Sequence, residues 1–311
     1  MASTRFIKDT GLTARMTLVM FLLGALFVAL IVGLMYAFES LAVFIGIAGL
    51  GIAFYQWYNS DKMALRAMRA REVAPHEAPE LHGMIDRLCA MADMPKPRVA
   101  ISYTDMPNAF ATGRSPNRSV VCVTTGVMDR LTAEELEGVL AHELSHVAHR
   151  DVLVMTVASS AGIIAGMVTR GAQFGGLGMM GRSRNSNSGG AAGLMIALLV
   201  SLVVYAISFL LIKLLSRYRE LCADRSAAFL TQKPSALASA LTKITGEIAS
   251  IPTKDLRSAQ SMNAFFIAPA ISGASLKTLT STHPSLEARL EQLAKVAAEL
   301  GRPMDGGFPT P

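Results

Sequence analysis

Two histidines four residues apart, with a glutamate between them, stand in the segment AHELSHVAHRD at positions 141–151. In a helix, His142 and His146 project from one face, one turn apart, and both can reach a single ion. Glu143 lies beside them and can approach a water molecule on that ion. This H-E-x-x-H spacing is the arrangement in which two imidazoles hold zinc and the carboxylate serves as general base in peptide hydrolysis. Three fixed letters also arise by chance, so the pattern needs a helix to carry it and a third protein ligand.

His149 lies on nearly the same face as His142, but about 10.5 Å of helical rise separates them, too far to share an ion. It reads as a surface or interfacial histidine. Glu220, in SRYRELCAD, is the candidate third ligand, and Asp224 lies one turn further on. Asp224 can accept a hydrogen bond from the distal N–H of a ligand histidine and fix its ring. The alternative leaves both acids on a solvated face, paired with Arg217 or Arg225. The ligand reading is preferred because SRYRELCAD emerges from an apolar stretch just as the HELSH helix enters one, which puts both at one surface.

Several elements must position these residues. LTAEELEGVLAHELSHVAHR reads as a helix opened by a capping box, Thr132 with Glu135. Gly138 costs that helix about 1 kcal/mol, which burial must offset. Upstream, DKMALRAMRAREVAP reads as a juxtamembrane helix stopped near Pro75, and APELHGMIDRLCAMADMP as a second helix. PRVAISY, NAFATG and SVVCVTTGVM read as three short strands, the last two joined by the turn-forming GRSPNRS, and a small antiparallel sheet is expected. LLSRYRELCADRSAAFL continues from an apolar stretch as one helix, and THPSLEARLEQLAKVAAEL forms another.

Composition places this chemistry beside lipid. Only 17% of the 311 residues are charged and mean hydropathy is +0.40, where soluble domains carry about 25% charge. Residues 16–38 and 41–58 carry no charge, and the second run ends in YQWY, aromatics suited to a bilayer interface. Residues 152–169 and 190–212 are also uncharged. The first run is too long for a cleaved signal peptide and is read as a retained anchor. Arg5, Lys8 and Arg15 precede the first run and Lys62, Arg66, Arg69 and Arg71 follow the second, so both flanks are expected in the cytoplasm.

The net charge of +6 is spread through juxtamembrane segments without a nucleic-acid motif. It suits anionic lipid headgroups, not nucleic acid. Three cysteines without a CxxC pair argue against a disulfide framework. The expected fold class is a mainly α membrane protein with an α+β catalytic domain. A transmembrane hairpin occupies 1–60. The catalytic domain takes 61–151 and 213–300, interrupted by a second hydrophobic hairpin at 152–212 and followed by a disordered tail at 301–311. Arg170, Arg182 and Arg184 lie in the glycine-rich link of that second hairpin. Full spans and a shallow hairpin therefore both remain open.

In order along the chain, AHELSHVAHRD, SRYRELCADRSAA and STHPSLEARLEQL resemble the HtpX family of membrane-bound zinc endopeptidases, relatives of the eukaryotic CAAX-prenyl endopeptidases. The similarity runs from the first apolar run to about residue 300. It implies a gluzincin-type zincin domain facing the cytoplasm and one Zn²⁺ per chain. It also implies membrane-protein substrates, a role in degrading damaged membrane proteins, and other quality-control proteases as partners. Carried over by position, His142, His146 and Glu220 match the zinc ligands, Glu143 the base and Asp224 the supporting carboxylate. Asn108, in PNAFATG, matches a residue near the scissile peptide, although it can equally just begin a strand. His283 matches a histidine that can stabilise an oxyanion, or else it caps the next helix, with Pro284 at the first helical position. Arg217 matches a residue holding the metal-binding helices together, with a solvated arginine as the alternative. A histidine at 149 departs from the family pattern. The rival functions are a processing peptidase for lipidated C-terminal peptides and a non-catalytic membrane scaffold.

Overall fold

In the computed structural model, residues 10–38, 40–151, 189–250 and 283–302 are described. The expectations for residues 152–169, for the link up to 188 and for the tail from 303 lie outside them. The described parts of Tyr58–Leu153 and Ser216–Pro311 form one compact unit, and those of Thr13–Trp57 and Val154–Leu215 another.

Both N-terminal apolar runs are helical, α1 over Thr10–Phe38 and α2 over Ser40–Tyr58. Large apolar side chains point outward from them, Phe21 at 71% exposure and Phe44 at 69%. Some side chains of these helices lie outside the described residues. Among those described, no helix is long and apolar enough to cross a membrane, so neither expected hairpin is established as spanning.

The other unit is built on a sheet. After α3 (Ser60–Ala67) come β1 (Ala70–Glu72), α4 (Pro79–Ala92), β2 (Arg98–Ser102), β3 (Ala109–Ser115) and β4 (Arg118–Thr124). The sheet order is β1-β2-β4-β3. Two expectations are corrected. The juxtamembrane helix ends at Ala67, where Arg69 turns left-handed (φ 49°), and Ala70–Glu72 pairs antiparallel with β2 instead. Ala-Arg-Glu carries no apolar alternation, so only the neighbouring strand makes it β. The sheet is also mixed, not antiparallel. The short turn makes β3 and β4 antiparallel, but β4 sits between β3 and β2 and runs parallel to β2.

β4 is buried along nearly its whole length because both faces are covered. Val121 and Val123 join the main core with α4, while Val120 and Cys122 pack on Ala64 and Met68 around α3. A continuous apolar run is what two covered faces require. At the end of β3, Gly113 has φ 139°, and a Cβ there would lie 2.3 Å from the Arg118 carbonyl, so the irregular turn into β4 needs glycine.

α5 (Thr125–Arg130) leads into α6 (Ala133–Ala148). Beyond the undescribed stretch, α7 runs unbroken over Gly189–Thr231, followed by α8 (Pro234–Ser250) and α9 (Leu286–Glu299). The sequence patterns leave α8 unassigned. It packs on α6, where Gly138 lets the Leu237 backbone approach to 3.3 Å of a would-be Cβ, which accounts for a glycine in mid-helix. α9 starts differently from the expectation. Ser285 is its N-cap, accepting from the Ala288 N–H, so Pro284 precedes the cap and His283 does not cap the helix.

Candidate metal centre

The HELSH helix forms as its start signal dictates. The Thr132 hydroxyl accepts from the Glu135 N–H at 3.3 Å, and Glu135 accepts from the Thr132 N–H at 2.8 Å. Ten residues further on, His142 and His146 present their rings edge to face, centroids 4.8 Å apart. α7 brings Glu220 against them. The Nε2 atoms are 3.2 Å apart, and Glu220 places Oε2 3.6 Å from His142 and Oε1 3.5 Å from His146. These three residues form a group able to hold a metal ion.

The spacing fits a metal. Ligand atoms about 2.1 Å from a tetrahedral ion lie about 3.4 Å from one another. Charge fits as well. Glu143, Asp151, Glu220 and Asp224 are buried with Arg219 and Arg289, which leaves two negative charges for a divalent cation to balance.

Each imidazole is held from behind. His142 Nδ1 lies 2.9 Å from Asp224 Oδ1, and Arg289 clamps both oxygens of Asp224 at 2.6 and 2.7 Å. His146 Nδ1 lies 2.6 Å from Asp151 Oδ2, which Arg219 also contacts at 2.9 Å. Carboxylates in this position fix the ring and raise its basicity. Asp151 gets there because Arg150 takes a left-handed conformation (φ 58°) just past α6. Such a φ is unfavourable for arginine, and here it delivers Asp151 back onto His146.

Electrostatics follow from this arrangement. Burial would lower the His142 pKa, but hydrogen bonds with Asp224 and Glu220 raise it to about 9. Burial works against ionising Glu220, yet His283 and His142 hold it well below the usual carboxylate range. Burial likewise opposes Asp151, and Arg219 with His146 brings it down to about 2. For Glu143 burial prevails and pushes the carboxyl up. A site that favours positive charge this strongly suits a proton or a metal ion.

The other expected residues fall in different places. Glu143 Oε2 accepts from the Ala111 N–H at 2.9 Å, on edge strand β3. Asn108 is fully buried just before β3, its backbone tied to Thr124 by bonds of 2.9 to 3.0 Å. Ala111, three residues on in β3, is hydrogen-bonded to Glu143. His283 Nδ1 stands 3.2 Å from Glu220 Oε2. His149 is half-buried with Nδ1 2.8 Å from the Ser145 carbonyl, apart from the ligand group. Arg217 is half-buried on α7, and two residues on Arg219 contacts Asp151 just past α6.

Sequence reasoning missed Asp151, Arg219 and Arg289. Arg289 did leave a signal, since it shares a helical face with Leu293 and Val296, both buried. A charge within an apolar stripe requires a buried partner. Asp151 and Arg219 leave no comparable periodic mark.

Residues 75–297 match the profile of Peptidase family M48. The chain is 56% identical over 299 residues to Protease HtpX homolog 1 of Streptomyces coelicolor, covering 96% of this chain and 97% of that one. It is 51% identical to a Protease HtpX homolog of Moorella thermoacetica, covering 94% and 97%. Among solved structures, S. mikatae Ste24p aligns with TM-score 0.50 at 16% identity, over 92% of this chain and 66% of that one, a likeness of fold alone. Two imidazoles and a carboxylate at tetrahedral spacing, a buried glutamate beside them and these relatives converge: the chain belongs to the metallopeptidases of family M48.

Proposed function

We propose that this metallopeptidase is a zinc-dependent endopeptidase of the cytoplasmic membrane. In this reading it cleaves misfolded or damaged membrane proteins, with its catalytic unit in the cytoplasm. The observation that carries the hydrolytic part is the set of three ligating groups, with nearest atoms 3.2 to 3.6 Å apart and Glu143 adjoining them. His142, His146 and Glu220 would hold the ion, and two imidazoles with one carboxylate are a donor set that suits zinc. Zinc in that position acidifies water and polarises a peptide carbonyl.

The protein's own groups supply the rest. Glu143, its pKa raised by burial, accepts the proton of the attacking water and returns it to the leaving amine. β3 is the sheet edge beside Glu143, and an extended peptide added along it is held by main-chain bonds that do not depend on sequence. That suits varied, unfolded substrates. His283 touches Glu220 and would, in this reading, orient it and donate to a developing oxyanion.

The membrane reading rests on the outward apolar side chains of α1, α2 and the first half of α7, among them Leu199, Leu202 and Leu210. α7 then continues unbroken to Glu220. A metal ligand thus follows the apolar stretch within one helix, as expected for chemistry placed beside a bilayer.

The test uses the purified full chain. It should contain about one zinc and cleave casein and an unfolded membrane protein. Glu143→Gln should retain zinc and lose about 10²- to 10⁴-fold in rate. Undiminished cleavage by that variant would refute the mechanism. Preference for a prenylated peptide over an unmodified membrane protein would assign the enzyme to processing instead.

A further inference from the structure

Beside the C-terminus of α2, away from the metal centre, lies a cavity of about 520 Å³ lined by Tyr58, Asp61, Lys62, Lys96, Arg98, Arg114 and the turn residues 117–119. Five of its lining residues are cations, and they come from separate parts of the chain: α3, the approach to β2, β2 itself, and the ends of β3 and β4.

Two of the five are already neutralised. Arg98 is bridged by Asp61 and Glu72, and Lys96 lies 2.8 Å from Asp86. The other three are not. Arg114 stacks 4.0 Å over the Tyr58 ring and donates to the Tyr58 carbonyl at 3.3 Å, contacts that fix the guanidinium without cancelling its charge. Lys62 and Arg118 have exposed side chains and no carboxylate partner among the described residues. Three uncancelled cations around a cavity, one of them held rigid, favour a ligand with a charged phosphate.

We propose that this cavity binds the headgroup of an anionic phospholipid. The inference rests on the membrane reading above. Tyr58 is the last residue of α2, whose final turn carries Phe54, Tyr55 and Trp57, aromatics of the kind that settle at headgroup level. Free phosphate has the same charge chemistry but gives no reason for the cavity to adjoin an apolar helix end. A bound headgroup would tie the sheet to the lipid surface through the turn that joins β3, the edge strand beside Glu143, to β4.

Trp57 is the only tryptophan and neighbours the cavity residue Tyr58, so its fluorescence reports on the site. The full chain in neutral detergent is titrated with short-chain phosphatidylglycerol, short-chain phosphatidylcholine and inorganic phosphate at matched ionic strength. Saturable binding of phosphatidylglycerol alone is expected. Lys62→Gln with Arg118→Gln should weaken it about 30-fold, each cation near a surface being worth about a factor of five. Arg225→Gln with Lys295→Gln, at distant surface cations, should leave it unchanged. If the double variant misfolds, each single variant should lose about fivefold. Equal binding of phosphatidylcholine, no effect of the Lys62 and Arg118 changes, or displacement by millimolar phosphate would each overturn the assignment. Flotation separates this from the membrane reading. A chain that floats with phosphatidylcholine vesicles but shows no phosphatidylglycerol site is a membrane protein without this pocket ligand. One that floats with no vesicle overturns both.

Discussion

His142 and His146 are one turn apart on the same helix, yet they are braced in different ways. Behind His142, both oxygens of Asp224 are engaged by Arg289, and the pair is almost wholly buried, at 0% and 3% exposure. Behind His146, Asp151 uses one oxygen for both His146 and Arg219, while its Oδ1 and the Arg219 Nε have no hydrogen-bond partner among the described residues. The first brace ties α9 to α7 inside the core. The second ties the last described residue before the 152–188 stretch to α7, where the chain re-enters this unit. The first carboxylate has both oxygens engaged by one guanidinium, whereas the second shares a single oxygen between a histidine and an arginine.

The largest expected effect tests this difference directly. Arg289→Ala takes the two-oxygen clamp off the fully buried Asp224, leaving it only His142, and should cost about 3 kcal/mol in thermal or denaturant unfolding. Arg219→Ala should cost clearly less, because Arg219 makes one contact to a single Asp151 oxygen where Arg289 engages both oxygens of Asp224. Equal losses would mean that the two braces are equivalent after all.

Metal affinity sharpens the same contrast. Loss of an outer partner of a ligand histidine weakens binding by about 10- to 100-fold. Asp224→Asn should fall at the upper end and Asp151→Asn at the lower end in competition with a chelator. The reverse order would show that the neck, not the core, sets the affinity.

A smaller effect depends on pH. After chelation, His142 holds a proton with its pKa raised from 6.5 to about 9. Its contribution to stability is therefore complete below pH 6.5 and disappears as the pH rises through about 9. Asp224 has a lowered pKa, so its contribution is present above its ordinary 3.8 and lost as pH falls through its lower folded value. The melting temperature of the chelated protein should decline from pH 6.5 to 9, and Asp224→Asn should flatten that decline. A flat profile in the unmutated chain would rule out this coupling.

The smallest effect serves as a control at the other end of α6. Glu135 combines the capping box with Ser239 and Lys243, and these bonds outweigh burial to lower its pKa. Glu135→Gln should cost about 1 kcal/mol at pH 7. That difference should shrink as pH falls below 4.5, where the wild-type carboxylate also becomes protonated, and metal affinity should not change. A change in metal affinity would show that the two ends of the helix are coupled.

His142, Glu143 and His146 were legible because a helix repeats every 3.6 residues, so letters four apart imply neighbouring side chains. The capping box was legible for the same local reason. Glu220 and Asp224 were legible only as a pair on one helix, and their meeting with the histidines followed from the apolar stretches that lead into and out of the unit. β1 was not legible, since its hydrogen bonds come from β2, some thirty residues away. Nor was the parallel pairing of β2 with β4, because strand order depends on how a connection crosses the sheet and leaves no periodic trace.

By itself, the sequence determined the grouping of His142, Glu143 and His146 on one helix, the start of that helix and the apolar runs, all of which depend on spacing along the chain. Tertiary structure alone decided that Asp151 turns back onto His146 and that Arg289 locks Asp224. It also decided that the Ala111 N–H meets Glu143 and that cations from four elements surround one cavity. Those contacts join residues far apart in the chain or set across a left-handed turn. For Asp151 and Asp224 the partners are opposite charges buried together, which no local pattern records.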